Sequence, residues 1–420
     1  MAPLKILIIG AGIAGNSLAF WLAKTGHDVT VVERYPTLRD TGLQLDLRGA
    51  GLEVMKRMDL QQAFEARVAP EKGLQLVDKR GRRRAFFPAA PAGEVQSFTS
   101  EFEIMRGDMC RVLQDAAVDK GTKFVFGMVV ERLVDEGGYV SVQFRDGETA
   151  TYDLVVGADG VNSRTRKMML GPDTDEGLHP LKGMFIGYFT MPQPMRKGEE
   201  YLATAHIAPG GKGLAIRRSH PDKWQVYIGG SSNAFDDIPK GDVKAEKAAM
   251  TELFRDVGWE APTVLKSMNT ENDFYLERLT MVKLDRWFQG RIALVGDAAW
   301  CPTPNTGMGT TSAVVGAYVL AGEICRQLGR GNGDNSTEDI VKALGSYDAK
   351  FRPFMDQIQM DVPGDGDGPT WKSRLFTSSF GVWLIYFVAG VASFFNINLP
   401  GMMLKEKVMG WNLPEYKELF

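Results

Sequence analysis

The sequence predicts an α/β fold in which a parallel-sheet domain is interrupted by an inserted β-sheet domain and followed by a C-terminal helical segment. The chain opens with an apolar run at 4–9, a glycine-rich turn, a helical stretch and a second apolar run at 28–33. This is the pattern of a strand, a crossover helix and a parallel strand. Between 184 and 229, four successive segments are rich in β-branched and aromatic residues, as strands are. A buried strand at 291–295 and a long helix at 309–328 then resume the first pattern.

These patterns divide the 420 residues into three parts. The first is a discontinuous Rossmann-type domain, the second is an inserted domain that we expect to bind a substrate, and the third is helical. The predicted boundaries are 1–70, 100–170 and 280–355 for the Rossmann-type domain, 71–99 and 171–279 for the inserted domain, and 356–420 for the C-terminal segment.

Three stretches carry specific predictions of local structure. The residues at 51–66, GLEVMKRMDLQQAFEA, predict a single helix. The residues at 79–93 are first basic and then rich in proline and alanine, and this composition predicts an excursion. A further helix is expected over 105–118, opened by Arg106 and Asp108.

The composition is that of a soluble globular protein, with 44% apolar and 24% charged residues. The net charge of −3, from 49 basic and 52 acidic residues, lacks the basic excess of nucleic-acid-binding proteins. Cys110, Cys301 and Cys325 lack the spacing of metal ligands and predict reduced thiols rather than a metal site or a disulfide framework. No secretory signal precedes the first strand, so we expect a cytoplasmic protein.

The region 375–395 is free of charge and meets the length of ~20 residues that a membrane span needs. Lys372, Arg374, Lys405 and Lys407 flank it, whereas three serines, one threonine and two glycines within it weaken insertion into a bilayer. We favour a helix packed on the protein body. Association with a membrane, as a helix on its surface or as a true span, is the alternative.

A glycine motif follows the first strand directly and opens the first helix. Gly10 permits the tight turn, Gly12 lets a pyrophosphate approach the backbone, and Gly15 lets the helix pack closely on the strand. The helix N-terminus offers N–H groups and a partial positive charge to phosphates. Glu33 ends the second strand, where an acidic side chain can accept hydrogen bonds from a ribose. The motif predicts a dinucleotide site whose turn residues are Gly10, Gly12, Ile13, Ala14 and Gly15.

Two further motifs follow predicted strands. In the first, Asp159 and Gly160 come after a buried strand, and Ser163 and Arg166 follow at the spacing D-G-x-x-S-x-x-R. A glycine after the carboxylate permits a sharp turn, which we expect to aim Asp159 into the crevice outside the sheet. The second motif begins with a Gly-Asp pair after another buried strand and continues with a proline, two glycines and a helix. Its candidate cofactor-binding residues are Asp297, Pro304, Gly307, Gly309 and Thr310.

With these three motifs in this order, the sequence resembles the class A flavoprotein monooxygenases, the para-hydroxybenzoate-hydroxylase-like family. The similarity spans about 4–353 and points to the branch of tetracycline-modifying oxygenases and fungal natural-product monooxygenases. The resemblance implies FAD as the cofactor, with the Asp159 segment near the pyrophosphate and Asp297 on the ribityl chain. It also implies that the helix beginning at Gly309 directs its N-terminus to the reduced flavin. Further cofactor contacts implied by the family are Arg34 beside the adenine, Arg106, and Asp46 near the flavin.

Three positions depart from the family pattern. Trp300 stands in place of the usual histidine, Thr311 in place of a common asparagine, and Arg48 in place of the histidine after the flavin-proximal aspartate. We expect Trp300 to be an apolar wall or core residue, with substrate contact as the alternative. These departures leave the detailed geometry near the flavin ring open.

The resemblance implies an enzyme that consumes O2 and either NADPH or NADH. The nicotinamide reduces FAD, O2 adds to give a flavin C4a-hydroperoxide, and one oxygen atom passes to a small organic, natural-product substrate by hydroxylation or epoxidation. We identify no catalytic side chain and expect no metal. The alternatives are a flavin oxidase or dehydrogenase on the same scaffold and, less favoured, a non-catalytic FAD-binding protein associated with a membrane.

We expect the substrate between the flavin and the sheet of the inserted domain. The candidate contacts are Tyr188, Arg217 and Pro304. Arg217 and Arg218 are neighbours on a strand and point to opposite faces, so at most one faces the pocket, and solvent exposure is favoured for either. Tyr188 is favoured as a core residue. The identity of the substrate and the oligomeric state stay open.

Overall fold

The computed structural model describes residues 3–39, 42, 44–89, 103–171, 174, 176–303, 306–330, 336–360, 377–395 and 408–420. Its strands, in chain order, are β1 (Lys5–Ile9), β2 (Asp28–Glu33), β3 (Gln44–Asp46), β4 (Gly73–Val77), β5 (Arg83–Pro88), β6 (Glu103–Met105), β7 (Lys123–Phe126), β8 (Val130–Asp135), β9 (Val140–Phe144), β10 (Thr149–Tyr152), β11 (Leu154–Gly157), β12 (Leu178–Pro192), β13 (Ala203–Ala208), β14 (Lys212–His220), β15 (Lys223–Ser231), β16 (Tyr275–Val282), β17 (Phe288–Gln289) and β18 (Ile292–Leu294). Its helices are α1 (Ile13–Lys24), α2 (Ala50–Arg57), α3 (Gln61–Glu65), α4 (Arg106–Asp119), α5 (Arg164–Leu170), α6 (Val243–Phe254), α7 (Ala261–Met268), α8 (Asp297–Trp300), α9 (Gly309–Arg330), α10 (Thr337–Gln359) and α11 (Ser379–Phe394).

A six-stranded sheet forms the centre of the Rossmann-type part, in the order β17-β18-β11-β1-β2-β7. Its neighbouring strands are parallel, except for the antiparallel pair of β17 and β18. The apolar residues of β1 and β11 are buried, as expected for strands that helices cover on both faces of the sheet. Among those helices, α1 packs against α4 and α9, and α10 packs on α9.

The three sequence motifs meet at the carboxyl edge of this sheet. The backbone N–H of Ala158 donates to the carbonyl of Ile9 at 2.8 Å, and that of Val295 donates to the carbonyl of Gly157 at 2.9 Å. These bonds hold the ends of β1, β11 and β18 side by side. Ligands of open α/β sheets bind in the crevice outside this edge. The fold therefore brings the three motifs to one crevice.

A seven-stranded sheet forms the inserted part, in the order β16-β12-β15-β14-β13-β4-β5. Its neighbouring strands are antiparallel, except for the parallel pair of β4 and β13. The helices α6 and α7 pack on this sheet around a second apolar core that includes Phe185, Ile228, Met250, Phe254 and Val264. Two smaller sheets, β10-β9-β8 and β3-β6, complete the architecture of the described residues.

The prediction of a single helix at 51–66 is wrong. The structure has two helices there, α2 and α3. Asp59, which lies between them, has a φ of 59°. This left-handed conformation cannot continue a right-handed helix, so the chain turns at Asp59.

The excursion predicted at 79–93 is part of the inserted sheet where the structure describes it. The strand β5 lies within this stretch and pairs with β4 at the edge of the seven-stranded sheet. Its buried residues, Ala85 and Phe87, alternate with exposed or half-buried ones. The arginines that precede them obscured this alternation. Residues 90–93 lie outside the described part of the chain.

The C-terminal helix α11 packs along β5 and β13 of the seven-stranded sheet. The Tyr386 hydroxyl donates to the carbonyl of Val77 at 2.7 Å and accepts from the N–H of Ile207 at 2.9 Å. Ser393 Oγ accepts from the N–H of Phe86 at 3.0 Å and donates to its carbonyl at 2.9 Å. The favoured prediction of a helix packed on the protein body is confirmed. Among the described residues, no helix combines the length and the apolar character needed to cross a membrane.

Candidate functional site

The glycine turn between β1 and α1 leaves no room for a side chain at Gly10 or at Gly15. Gly10 has a φ of 111°, and a Cβ atom added to it would lie 2.6 Å from the carbonyl oxygen of Ala158. A Cβ atom on Gly15 would lie 2.0 Å from the carbonyl oxygen of Gly10. Both distances are far below van der Waals contact, so the turn requires glycine at both positions. The predicted close packing of strand, turn and helix is confirmed.

The N-terminus of α1 lies at the crevice. Gly12 is its N-cap, and no side chain caps the helix. The first N–H groups of a helix have no partner within that helix, and here they belong to Ile13, Ala14 and Gly15. The first turn also carries no acidic side chain. Its N–H groups and partial positive charge therefore suit the pyrophosphate of a dinucleotide.

Glu33 lies beside the glycine turn. Its carboxylate accepts hydrogen bonds from the backbone N–H groups of Ala11 at 3.0 Å and Tyr35 at 3.1 Å. This places an acidic group at the end of β2, where a dinucleotide ribose lies in Rossmann-type folds. The neighbouring Arg34 lies over the ring of Tyr35, with its guanidinium carbon 5.0 Å from the ring centroid. Contact of Arg34 with an adenine stays a prediction.

Arg106 begins α4 and lies against the glycine turn. A Cβ atom on Gly12 would lie 3.9 Å from its Nη2 atom, and one on Gly42 would lie 3.0 Å from its Cδ atom. Its Nη1 atom is buried and has no hydrogen-bond partner within the part of the chain that the structure describes. A buried charged donor without a partner is costly, so a ligand that accepts from it stabilises the site. Arg106 thus supplies a positive charge beside the glycine turn.

Asp297 opens onto the same crevice after β18. Its side chain is exposed there, yet enough protein surrounds it that burial raises the pKa of its carboxyl. The positive charge of Arg106 and a hydrogen bond with Cys301 offset part of this rise in pKa. Gly296 has a φ of 67°, and a Cβ atom on it would lie 2.7 Å from the Cβ of Ala14. The turn that carries Asp297 therefore packs directly on α1.

The carboxylate of Asp159 is held at the N-terminus of α5, and its contact with a ligand in the crevice stays a prediction. The carboxylate accepts from the backbone N–H groups of Arg164 at 2.9 Å and Thr165 at 3.0 Å, and from the hydroxyls of Thr165 and Ser163. The N–H groups at a helix N-terminus attract a carboxylate in this way. The backbone of Asp159 still borders the crevice, since its Cα atom lies 3.1 Å from a Cβ built on Gly10.

Arg166 joins the second motif to the third. Its guanidinium is fully buried and donates from Nη1 to the carbonyl of Ala298 at 3.0 Å and from Nη2 to the carbonyl of Val161 at 2.8 Å. Burial lowers the pKa of the guanidinium, and the charges of Glu176 and Asp159 offset part of that change. Two segments that are 132 residues apart in sequence are thereby held together.

Two of the departures from the family pattern contact each other. Thr311 Oγ1 accepts from the backbone N–H of Arg48 at 3.0 Å and lies 3.3 Å from the Arg48 carbonyl, to which it donates. The Arg48 side chain pairs with Asp46. Thr311 therefore fixes the end of β3, which carries Asp46, beside the first turn of α9. No sequence signal links residues 48 and 311, because their contact arises only in the fold.

Trp300 is a core residue. It is 1% exposed, and its ring centroid lies 4.6 Å from that of Trp287 and 5.0 Å from that of Phe351. A Cβ atom on Gly316 of α9 would lie 2.5 Å from the Trp300 ring. The favoured prediction for Trp300 is confirmed, and the alternative of substrate contact is wrong.

The residues between Trp300 and α9 are only partly described. Pro304 lies outside the described residues, so its contacts with flavin and substrate stay predictions. Gly307 has a φ of 63°. The helix α9 begins at Gly309, has 22 residues and carries no acidic residue in its first turn, which includes Thr310. The helix α9 therefore has its positive end at Gly309, where the third motif ends.

Tyr188 lies within the inserted sheet. It is buried, as favoured from the sequence, and its hydroxyl has no hydrogen-bond partner among the described residues. Its ring makes an edge contact with Tyr227, 5.6 Å away between centroids, and the Tyr227 hydroxyl accepts from the N–H of Gln44 at 3.0 Å. Burial raises the pKa of both phenols, that of Tyr227 to about 12. Tyr188 is therefore a neutral hydroxyl near the junction of β15 and β3.

Arg217 and Arg218 are held in ion pairs within the protein, so the solvent exposure favoured for them is wrong. Arg217 donates from Nε to Glu71 at 2.9 Å and also pairs with Glu103. Arg218 is buried and pairs with Glu199 at 2.9 Å. The carboxylates neutralise both guanidinium groups, which allows charged side chains into the interior. The Arg217 cluster also connects β14 of the inserted sheet to β6.

The sequence interpretation missed Glu277. Burial and the negative charge of Asp297 raise the pKa of its carboxyl, whereas the charges of Lys240, Arg39 and Arg106 act in the opposite direction. The influence of Asp297 and Arg106 on its pKa indicates that Glu277, on β16, lies near the Asp297 side of the crevice. A carboxylate among the buried apolar residues of β16 is the signal that could have identified it.

Comparison with known proteins identifies the class. The family model described as FAD binding domain matches residues 3–360, and the chain belongs to this family. It is a flavoprotein of the class A FAD-dependent monooxygenases, as the three motifs predicted.

The relatives cover the whole chain. The FAD-dependent monooxygenase asL4 of Sarocladium schorii is 46% identical, over 100% of this chain and 99% of that protein. The flavin-dependent monooxygenase eupH of Phoma sp is 39% identical, over 94% of this chain and 93% of its own length. Among solved structures, the tetracycline destructase Tet(51) is 28% identical with a TM-score of 0.74, over 99% of both chains. The predicted α/β fold and oxidoreductase class are confirmed.

Proposed function

We propose that this monooxygenase uses NADPH or NADH as its reductant and inserts one oxygen atom into a small organic molecule of the natural-product type. The insertion is a hydroxylation or an epoxidation. One NAD(P)H, one proton and one O2 are consumed, and NAD(P)+, one water and the oxygenated substrate are formed. Bound FAD supplies the electron transfer and the activation of oxygen, whereas the protein supplies binding, orientation and exclusion of water.

The observation that carries this proposal is the guanidinium of Arg106. It is a partly buried cation that lies beside Gly12 on one side and within the electrostatic reach of Asp297 on the other, and its Nη1 atom has no partner within the described ranges of the chain. In FAD the anionic pyrophosphate is followed by the hydroxyls of the ribityl chain. This order matches the cation Arg106 followed by the carboxylate Asp297 in the crevice. We assign the pyrophosphate to Arg106 and the first turn of α1, and the ribityl hydroxyls to Asp297.

The two ends of FAD are assigned by the same reasoning. Glu33 is the acidic residue at the end of β2 and receives the adenosine ribose, with Arg34 beside the adenine. The positive end of α9, at Gly309 and Thr310, stabilises negative charge on the reduced flavin ring. Asp46 borders the ring and is held there by Arg48 and Thr311.

The substrate is placed between the flavin and the inserted sheet. The Tyr188 hydroxyl is buried and neutral and has no partner in the part of the chain that the structure describes, and it supports a polar contact with a largely apolar molecule. Pro304 remains a second proposed wall. Arg217 acts through Glu71 and Glu103 as a positioning residue, since its guanidinium is already neutralised. The name of the tetracycline destructase supports a ring-containing organic substrate for this chain.

Labelled oxygen tests the proposal. The FAD-loaded protein is incubated under ¹⁸O2 with NADPH or NADH and a panel of aromatic polyketides, terpenoids and indole alkaloids, and the products are analysed by mass spectrometry. We expect a product that carries one ¹⁸O atom for each nicotinamide consumed. Consumption of nicotinamide and O2 that yields hydrogen peroxide and unlabelled product across the panel would instead identify an oxidase.

A further inference from the structure

The helix α11 has an apolar side that the described part of the chain leaves uncovered. Its other side packs on the inserted sheet through Ala389, Ala392 and Tyr386. Seven large apolar residues on or directly after the helix are 39–81% exposed. We call them the aromatic stripe, which consists of Phe380, Trp383, Phe387, Val388, Val391, Phe394 and Phe395.

The aromatic stripe is a contiguous surface rather than a set of scattered residues. The ring centroids of Phe380 and Trp383 are 5.8 Å apart, and those of Trp383 and Phe387 are 5.5 Å apart, with nearly parallel planes in the second pair. These residues follow one another at three- and four-residue spacing, so they share one side of the helix. The helix itself contains no charged residue. Contiguous exposed apolar patches of this kind mark interaction surfaces.

A cluster of basic residues borders the stripe. We call the turn from 78 to 84, between β4 and β5, the basic hairpin. The carbonyl oxygen of Arg84 lies 3.2 Å from a Cβ built on Gly390, which is one turn of helix from Phe387 and Phe394. The hairpin has a single carboxylate, Asp78, which accepts hydrogen bonds from Arg82 and Arg84. Its exposed basic residues are Lys79, Arg80, Arg82, Arg83 and Arg84.

This basic surface is local. The whole chain has a net charge of −3, whereas the hairpin has five basic residues and one acidic residue within seven positions. A basic cluster beside an aromatic stripe presents two kinds of attraction on one surface. Apolar side chains favour the boundary between headgroups and acyl chains of a bilayer, and basic side chains favour anionic headgroups.

We propose that the aromatic stripe and the basic hairpin together bind the surface of an anionic membrane. The rings enter the interfacial layer, where aromatic side chains are favoured, and the basic side chains contact lipid phosphates. The helix lies in the plane of the membrane, because Tyr386 and Ser393 hydrogen-bond its opposite side to the sheet. This binding is independent of FAD and of oxygen transfer.

A second copy of the chain fits this surface less well than a membrane does. In a symmetric dimer the same patch meets itself. Two stripes in contact would bring two basic hairpins to one interface, and like charges oppose such pairing. Anionic headgroups instead neutralise the hairpin.

Vesicle sedimentation tests the proposal on the full-length, FAD-loaded protein. Vesicles of phosphatidylcholine with phosphatidylserine are compared with vesicles of phosphatidylcholine alone, at low and at high salt. We expect binding to the anionic vesicles at low salt and a decrease of ~10-fold or more in apparent affinity when either phosphatidylserine is omitted or salt is raised. No binding, or equal binding to both compositions, overturns the proposal. This comparison needs no variant.

Variants then assign the binding to the two surfaces. The stripe variant F380S/W383S/F387S and the hairpin variant K79Q/R80Q/R83Q are each expected to lower the affinity for anionic vesicles by ~10-fold or more. The control variant K223Q/K244Q/K266Q removes the same charge as the hairpin variant, elsewhere on the surface, and is expected to leave the affinity unchanged. An equal loss of vesicle affinity in the control variant overturns the proposal. All three variants are first checked for retained flavin absorbance.

Light scattering distinguishes membrane binding from association with a second copy of the chain. A concentration-dependent dimer that the stripe variant abolishes, together with no vesicle binding by the unmodified protein, overturns the membrane proposal in favour of self-association. A monomer that binds anionic vesicles supports it.

Discussion

The buried guanidinium of Arg166 donates a 3.0 Å hydrogen bond to the backbone carbonyl of Ala298 and so connects the second and third sequence motifs. We expect Arg166→Met to lower the free energy of unfolding by about 3 kcal/mol, because the carbonyls and Glu176 lose their buried partner. FAD retention should fall with it. Urea unfolding and flavin release measure the two effects. Lys167→Met, at the exposed neighbouring position, is the control, and equal losses in both variants contradict the assignment.

The raised pKa of Asp297 gives a prediction with a definite sign. Burial raises the pKa of this carboxyl above its ordinary value of 3.8, so the folded apoprotein keeps the proton to a higher pH than the unfolded chain. The stability that this proton confers is fully present below pH 3.8 and is lost as the pH rises through the folded-state pKa. Asp297→Asn stays neutral, so it should become more stable relative to the unmodified apoprotein as the pH rises.

Urea midpoints of the two apoproteins, measured from acid to neutral pH, check this sign. Glu277→Gln should show the same trend, since the pKa of Glu277 is raised above its ordinary value of 4.5. A difference between Asp297→Asn and the unmodified protein that does not change with pH would show that the carboxyl is not desolvated. FAD retention should nevertheless decrease in Asp297→Asn, since the amide is a weaker acceptor than a carboxylate.

The ion-pair cluster of Arg217 is expected to stabilise the contact between the inserted sheet and β6. Arg217→Gln leaves Glu71 and Glu103 as buried carboxylates without their cation. The free energy of unfolding should fall by about 3–5 kcal/mol. Thermal or urea unfolding measures it. A change in the free energy of unfolding below ~0.5 kcal/mol, which is typical of surface positions, would show that the cluster does not stabilise this contact.

Thr311 is expected to fix the flavin-proximal strand through its hydroxyl. Thr311→Val keeps the shape but removes both hydrogen bonds to Arg48, and it should cost ~1 kcal/mol of stability and weaken FAD binding. Thr311→Ser keeps the hydroxyl and should restore most of the affinity. If valine and serine behave alike in a flavin titration, the contact with Arg48 does not position the strand.

The sequence was sufficient for the parts of the fold that depend on local rules. Gly10 predicts a tight turn and Gly15 predicts close packing of the helix on the strand, and the structure has no space for a Cβ atom at either position. The long helix from Gly309 is likewise evident from its apolar spacing. Each of these features is determined within a few residues of the chain, so spacing alone identifies it.

Long-range pairing explains what the sequence did not reveal. Arg217 was expected at the surface because its partners, Glu71 and Glu103, are more than 100 residues away and only the fold brings them together. The carboxylate of Asp159 accepts hydrogen bonds from the N–H groups at the start of α5, a pairing that the motif spacing did not reveal. The break between α2 and α3 was missed as well. It depends on the positive φ of Asp59, and a single positive φ leaves no pattern in the sequence.

The guanidinium of Arg106 tests the account most directly, because it lies beside the glycine turn and its buried Nη1 atom has no hydrogen-bond partner among the described residues. The measurement is titration of each apoprotein with FAD, followed by flavin fluorescence. We predict that Arg106→Gln weakens FAD binding by ~10-fold or more, while Arg111→Gln, at an exposed position of the same helix, leaves it unchanged. Equal FAD affinity in the unmodified protein and in Arg106→Gln would contradict the assignment of the crevice.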